Sequence, residues 1–306
     1  MAILPDIHEM SRGRWRGILS HFGLSQRDLS GKHGPCPACQ DGTDRFRFDD
    51  KDGRGTWICS QCGAGSGVDL VMKMRGWDFK DAVAAIRPVI GGSAAEPINK
   101  GMSDADKRKL RVDLWQSSRP VQKGDPVDKY LTGRNVGRAA YWPCLRYAPD
   151  CRYSRDQSFP AMIAAIQDAD GQGVSLHRTF LKDGDKAPVD NPRMMMPGTI
   201  PMGSAIRLGE VAEHMGIAEG IETAMAASYE FGLPTWAALN ANLLAEWEPP
   251  QGVTEVTIYG DNDANYTGQA AAYQLARRLT LKKIKANVLI PATIGEDWAD
   301  MLETAQ

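Results

Sequence analysis

The stretch 253–263, VTEVTIYGDND, decides the fold of this chain. Its apolar, β-branched residues predict a buried strand that ends at two aspartates. Gly268 and the helical pattern at 270–276 predict that a helix follows. Such an α/β unit carries its functional groups at the carboxyl end of the strand. Asp261 and Asp263 can converge there on one divalent cation, because hard cations bind several oxygens. Taken alone, this turn fits a loop that caps the next helix equally well.

Other carboxylates follow a similar pattern in the last third of the chain. Strands are predicted at 205–208, 216–218, 235–238, 253–259 and 286–290, separated by helical patterns, which is typical of a parallel sheet. Right-handed crossovers place the carboxyl ends of such strands on one edge. We therefore expect four acids to gather at that edge, and their mutual repulsion is best explained by a bound cation. They are Glu219, Asp261, Asp263 and Asp297.

Size and composition are those of a soluble globular protein. The chain has 306 residues, 42% hydrophobic and 24% charged, enough for two domains or for one with an appendage. The sequence has no apolar run long enough for a membrane helix, and an N-terminus with Asp6 and Glu9 lacks a secretory pattern. We expect a cytoplasmic protein without a membrane partner. Residues 103–200 hold 16 Lys and Arg against 12 Asp and Glu, whereas 203–306 hold 6 against 14. This asymmetry suits an anionic ligand beside bound cations.

Two CxxC motifs nineteen residues apart are the most specific local signal in the chain. Four thiolates at this spacing can bind one Zn²⁺ tetrahedrally, which leaves no position for water and predicts a structural metal. An iron–sulfur cluster or a redox dithiol are the alternatives, and His33 could replace one cysteine. The predicted ligands are Cys36, Cys39, Cys59 and Cys62.

Two short strands are predicted between these motifs, in RFRF at 45–48 and GTWI at 55–58. Alternation places Arg45 and Arg47 on one face and both phenylalanines on the other. Basic and aromatic side chains on such a sheet can bind the phosphates and stack on the bases of single-stranded nucleic acid. We interpret Arg45, Arg47 and Trp57 as template contacts and the two phenylalanines as packing residues.

A linker and a basic segment follow. Residues 88–102 contain Pro88, Pro97 and several glycines, a composition typical of a linker. Strands are predicted at 159–167 and 174–181, joined by a turn at 168–171. The second strand and the residues after it carry cations that could bind a polyphosphate or a nucleic-acid backbone, although such clusters are often solvated faces. These cations are Arg178, Lys182, Lys186 and Arg193.

Taken in order, these motifs resemble the zinc-ribbon and toprim primases of phages and mobile plasmids, within the bacterial-type primase superfamily. The matching segments are PCPAC, DRFRF, GTWICSQCGAGSGVDL, FPAMIAAIQDADGQGVSLHRTFLKDGDKA, EGIETA, GDND and DWAD. The resemblance implies an α/β fold: a toprim domain, which is a Rossmann-like parallel sheet, preceded by a basic α+β segment and a small β zinc ribbon. The corresponding boundaries are 1–87, a linker at 88–102, 103–202 and 203–306. Two departures are the four-cysteine ligand set and the lack of a GxxxxGK[ST] motif, so a helicase would act in trans, or the protein is a stand-alone primase.

The same resemblance implies synthesis of RNA primers on single-stranded DNA from nucleoside triphosphates. Mg²⁺ or Mn²⁺ would be bound by Asp261 and Asp263, with Asp297 and Asp300 completing the site, and Glu219 would be a ligand or a general base. Two alternatives remain open from the residues: a toprim nuclease with the same metal site, and a non-catalytic single-strand-binding accessory protein of replication.

Overall fold

The computed structural model describes residues 6–93, 102–138, 140–295 and 298–299, and the chain divides into two units, 1–102 and 103–306. Among the described residues, no helix combines the length and the apolar character needed to cross a membrane. The expected boundaries at 87, 102 and 202 stay predictions. One detail differs: the helix that precedes the linker runs to Ile90 with Pro88 inside it, so the first residues assigned to the linker are helical.

The first unit packs four helices against a small antiparallel sheet. Trp15, Ile18 and Leu19 recur at helical spacing and are almost fully buried, so they fix one helix onto the core. The strands pair in the order β1-β2-β3. The elements are α1 (Ile7–Ser11), α2 (Trp15–His21), β1 (Phe46–Phe48), β2 (Trp57–Cys59), β3 (Gly63–Gly65), α3 (Gly67–Arg75) and α4 (Phe79–Ile90).

The second unit begins with a six-stranded antiparallel sheet. The predicted hairpin is confirmed: its two long strands pair from Ala161↔Phe180 to Gln167↔Gly173. The strands run in the order β4-β5-β6-β7-β8, and β9 also pairs with β7. The elements are α5 (Asp104–Ser117), β4 (Arg119–Pro120), α6 (Pro126–Gly133), β5 (Leu145–Arg152), β6 (Ser158–Gln167), β7 (Gly173–Lys182), β8 (Asp185–Lys186) and β9 (Arg193–Met195).

The last third forms the predicted parallel sheet, in the order β11-β10-β12-β13. Three of its strands, β10, β11 and β12, are buried over most of their length, whereas the edge strand β13 is only partly buried. The strand predicted at 205–208 is the exception, because Ala205 and Ile206 form only isolated bridges. The elements are β10 (His214–Ala218), α7 (Ile221–Phe231), β11 (Thr235–Ala237), α8 (Ala241–Ala245), β12 (Glu255–Tyr259), α9 (Thr267–Leu281) and β13 (Lys285–Leu289).

Candidate active site

The four predicted cysteine ligands form a potential zinc site. Their sulfur atoms all lie within 4.8 Å of one another, and the sulfurs of Cys36 and Cys62 are 3.8 Å apart. A tetrahedron with zinc–sulfur bonds of about 2.3 Å has edges of about 3.8 Å, so the spacing fits Zn²⁺. Burial raises the pKa of Cys36 to about 11, which disfavours a thiolate unless a cation neutralises it.

The residues around these cysteines belong to the core of the first unit. Phe46 and Phe48 are buried, as predicted. Trp57 is 2% exposed, stacks on Phe46 and donates its indole N–H to the carbonyl of Ser66 at 2.9 Å. Its assignment to template binding is therefore wrong: alternation along β2 turns Trp57 inward and Ile58 outward. Arg45 and Arg47 are partly exposed and pair with Asp41 and Asp49, and their contact with a template stays a prediction.

The acidic turn after β12 is held in place by its own neighbours. The side-chain amide of Gln269 donates to Asn262 Oδ1 at 2.7 Å and to the carbonyl of Asp263 at 2.9 Å. Asn262 in turn donates to the carbonyl of Pro291 at 2.8 Å. One oxygen of Asp263 accepts from the backbone N–H of Gly268 at 2.8 Å, so this aspartate also binds the start of α9. Asn262 and Gln269 thus hold in place the turn that carries both aspartates.

Gly268 allows this turn to approach α9 closely. A Cβ at position 268 would lie 2.7 Å from the backbone oxygen of Asp261. Since that oxygen belongs to the backbone, a side chain there would displace the turn. Sequence reasoning used Gly268 only as the start of a helix; its role in packing against Asp261 depends on this tertiary contact.

Glu219 lies beside this turn, directly after β10. The neighbouring strands pair Ala218 with Tyr259, which places Glu219 and the acidic turn at the same edge of the sheet, as expected. Burial and, to a smaller extent, the charge of Asp263 raise the pKa of Glu219 to about 7, against the opposing charge of Arg193. Glu219 and Asp263 repel each other, and Asp261 lies in the same turn as Asp263. Their carboxylate oxygens and negative charge suit a divalent cation. The carboxylate oxygens of Glu219, Asp261 and Asp263 do not all lie within 4.8 Å of one another, unlike the four cysteine sulfurs. The predicted Asp297 and Asp300 lie outside the described residues.

A second buried carboxylate, Glu222, lies one turn further along α7. It is 5% exposed and accepts a hydrogen bond of 2.5 Å from the hydroxyl of Tyr130. Its other oxygen is 3.9 Å from a guanidinium nitrogen of Arg193. Burial alone would raise the pKa of Glu222, but Arg193, Tyr130 and Lys186 outweigh it, and the pKa is lowered. Glu222 is therefore a buried anion that holds Arg193 beside Glu219.

The four predicted phosphate-binding cations are divided between the two faces of the antiparallel sheet. Lys186 pairs with Leu181 and Arg193 with Thr179, so both share the face of β7 that packs against α7 and approach Glu222. Arg178 is 9% exposed on the opposite face, where it donates to the carbonyl of Arg152 at 3.0 Å and lies over Phe180. Its contact with a phosphate stays a prediction. Lys182 alternates with Leu181 and shares the face of Arg178, so its binding role stays a prediction.

Two residues of the candidate site were missed by sequence reasoning, Glu222 and Tyr130. Tyr130 is 92 residues before Glu222, and no local pattern connects them. The available signal was a second acid within EGIETA, three residues after Glu219, on a helix whose neighbouring positions are all apolar or small.

Three protein-family models match the chain. Residues 31–68 match the zinc-binding domain of primase-helicase, 105–208 match a domain of unknown function, DUF7146, and 214–305 match the toprim domain. The zinc ribbon and the toprim fold inferred from the sequence are confirmed, and so is the likeness to primases that combine them.

Solved structures with similar folds include several primases. The zinc-binding and RNA polymerase domains of the Aquifex aeolicus primase are 16% identical, with 99% of this chain and 83% of that chain covered and a TM-score of 0.44. A DNA primase domain from Pseudomonas aeruginosa is 15% identical, covering 65% and 74%, with a TM-score of 0.43. The primase fragment of the bacteriophage T7 primase-helicase protein is 12% identical, covering 90% and 95%, with a TM-score of 0.39.

Proposed function

We propose that this chain, which joins the zinc-binding domain of primase-helicases to a toprim domain, is a DNA primase. It would synthesise short RNA primers on single-stranded DNA by nucleotidyl transfer. One observation carries this proposal: the carboxylates at the edge of the parallel sheet face Arg193 and Lys186 from the antiparallel sheet. Such a site has an acidic side for metal ions and a basic side for phosphates, which is the division that polymerisation of nucleoside triphosphates requires.

Asp261, Asp263 and Glu219 would hold Mg²⁺ or Mn²⁺, with Asp297 and Asp300 as further proposed ligands. The bound cation would neutralise the phosphate oxygens and stabilise charge on the attacking and leaving oxygens. In the reaction, a 3′-hydroxyl attacks the α-phosphorus of the incoming nucleotide, a phosphodiester forms and pyrophosphate leaves. Glu219, whose pKa is raised to about 7, is placed to accept the hydroxyl proton if it does not serve as a ligand.

Lys186 and Arg193 would bind the phosphates of the nucleotide or of the template. Burial and the nearby Arg193 lower the pKa of Lys186, and the charge of Glu222 opposes them. Lys186 and Arg193 repel each other, and a nearby negative charge reduces that repulsion. Glu222 carries this charge, and the hydrogen bond from Tyr130 stabilises its ionised form. We infer that Glu222 is a positioning residue for Arg193.

The zinc ribbon would hold the template, with Arg45 and Arg47 on its exposed face. The cysteines stabilise that small sheet through the metal and take no part in the transfer. A replicative helicase acting in trans completes the proposed set of partners.

Primer synthesis on single-stranded DNA tests this function directly. Asp261→Ala should abolish labelled oligonucleotide products in the presence of nucleoside triphosphates and Mg²⁺ or Mn²⁺, while circular dichroism stays unchanged. Asp150→Ala is the matched control, since Asp150 is an exposed aspartate on β5 of the same unit. Primers made by Asp261→Ala would refute the site. Degradation of the template by the wild-type protein, without new oligonucleotides, would favour a nuclease instead.

A further inference from the structure

A cavity of about 750 Å³ opens in the second unit, away from the acidic edge. It lies between α5, the start of β7 and the segment 207–211, and Trp236 of β11 also lines it. The volume is within the range of about 300–1,000 Å³ that small-molecule sites occupy. Ser175 lines the cavity, whereas Leu181, six residues along β7, pairs with Lys186 of the acidic site. At about 3.3 Å per residue, these two points on the strand are roughly 20 Å apart.

Aromatic side chains provide the apolar walls of this cavity. Trp115, Trp142 and Trp236 all line it. The guanidinium of Arg146 lies 4.9 Å from the ring centre of Trp115, and that of Arg207 lies 4.6 Å from Trp236, so two of the indoles are held by cations. Indole faces stack on nucleobases with little dependence on sequence, typically for about 1–3 kcal/mol per base.

Arginines supply the charge. Arg108 and Arg111 lie one helical turn apart on the face of α5 that also carries Trp115, and Arg207 lies across the cavity. Arg207 is fixed by hydrogen bonds of 2.8 and 3.0 Å to the carbonyls of Asp168 and Ala169. Its Nε is buried without a hydrogen-bond partner in the described part of the chain. Glu210 is the one acid among the described lining residues, so the cavity favours an anion.

The helix that borders the cavity is only partly covered by the rest of the unit: Leu114 and Trp115 pack against the core, and Arg111 donates to the carbonyl of Pro197 at 2.9 Å. None of the described residues of α5 is buried, and Val112, on the face with Arg108 and Arg111, is 43% exposed. A surface helix normally buries its apolar stripe. A ligand in the cavity would cover this stripe as well as the indoles.

We propose that this cavity binds a nucleotide unit, with the base stacked among the tryptophans and the phosphate held by Arg108 and Arg111. The unit can come from a free nucleoside triphosphate or from a nucleotide within a single strand, and both share this chemistry. Binding here does not require the reaction proposed above, so the two can fail separately.

Fluorescence titrations without added divalent cation test this site, with ATP in one arm and labelled oligo(dT) in the other. Arg108→Ala and Trp115→Leu should each raise the Kd for ATP, for oligo(dT) or for both at least about fivefold, because each variant loses one phosphate or stacking contact. Lys109→Ala is the matched control: it removes the same charge from α5 but lies outside the lining and pairs with Asp113. It should bind as the wild type does.

Each outcome decides between the possibilities. Weakening in the ATP arm assigns the site to free nucleotides, and weakening in the oligo(dT) arm alone assigns it to a strand. Equal binding by wild type and both cavity variants, or an equal loss in Lys109→Ala, overturns the proposal. A wild-type protein that makes no primers, while its cavity variants show these losses, would refute the primase proposal alone.

Discussion

The two candidate metal centres are built in different ways. The cysteine centre draws its ligands from residues 36–62 and one small sheet, and its sulfurs already have the spacing that a tetrahedral ion needs. The carboxylate centre takes Glu219 from one strand end and Asp261 and Asp263 from another, and its cations come from a different sheet. The first centre is closed and local, whereas the second is open and depends on the packing of the whole second unit.

This difference has a physical consequence for each centre. At a closed thiolate site the free energy of metal binding contributes to folding, because the ligands come together only in the folded sheet. An open carboxylate site disfavours its own ionised form until a cation arrives: burial first, and then repulsion from Asp263, raises the pKa of Glu219. Mutations in the first centre should therefore affect stability, and mutations around the second should affect activity.

The largest effect is expected at the cysteine centre. Cys36→Ser should lose bound zinc and the folded state of the first unit, because structural zinc contributes on the order of 10 kcal/mol in small domains. The second unit should keep its melting transition. Zinc analysis by mass spectrometry and calorimetry would measure both effects. Cys144→Ala, a thiol outside the cluster, is the control, and full zinc occupancy in Cys36→Ser would contradict the assignment.

At the carboxylate centre, Glu222→Gln should leave the protein folded but lower kcat/KM for primer synthesis about 10- to 100-fold, since small displacements of a positioning group have effects of this size. The amide still accepts the hydrogen bond of Tyr130 but no longer attracts Arg193. The loss should appear mainly as a higher KM for nucleoside triphosphates. Glu230→Gln, at an exposed position of the same helix, should match the wild type. Equal KM values in the two variants would contradict a positioning role for Glu222.

A smaller effect is expected at Gly268. Gly268→Ala would place a methyl group 2.7 Å from the backbone oxygen of Asp261, so the acidic turn must move. Overpacking of this kind typically costs about 1–3 kcal/mol, and the displaced aspartates should reduce primer synthesis. Gly91→Ala adds a methyl group with no atom within 4 Å and serves as the control. Unchanged activity with unchanged metal dependence would show that the close approach does not fix the turn.

The smallest effect concerns His177, which lies on the same face of β7 as Thr179. Burial lowers the pKa of His177 to about 4; the charge of Glu222 opposes this, and the charges of Arg193 and Arg178 add to it. The unfolded chain takes up this proton near pH 6.5, so stability is fully present above that pH and falls as the pH drops towards 4. The slope is at most about 1.4 kcal/mol per pH unit. Urea denaturation at pH 7 and pH 5 measures this effect. Between these pH values the free energy of unfolding should fall less for His177→Gln than for the wild type, and equal decreases would contradict the lowered pKa.

The sequence predicted the elements whose signals are local. The CxxC motifs, the strand that ends before Asp261 and the hairpin of β6 and β7 were all predicted, because spacing and periodicity specify them. Trp57 was misassigned because an aromatic residue on a strand can point to either face. The register of β7 with β9 separates Arg178 from Arg193, and that register is a tertiary property. Glu222 and Tyr130 meet only once α6 packs against α7.

Binding of Mn²⁺ to the zinc-loaded protein, followed by electron paramagnetic resonance, is the most direct test of the carboxylate centre. Glu219, Asp261 and Asp263 are claimed to hold a divalent cation that the cysteines do not. The wild type should show a Mn²⁺ site that Asp261→Asn lacks, while both proteins keep their zinc and the same fold by circular dichroism. Identical Mn²⁺ binding by the two proteins would contradict the claim.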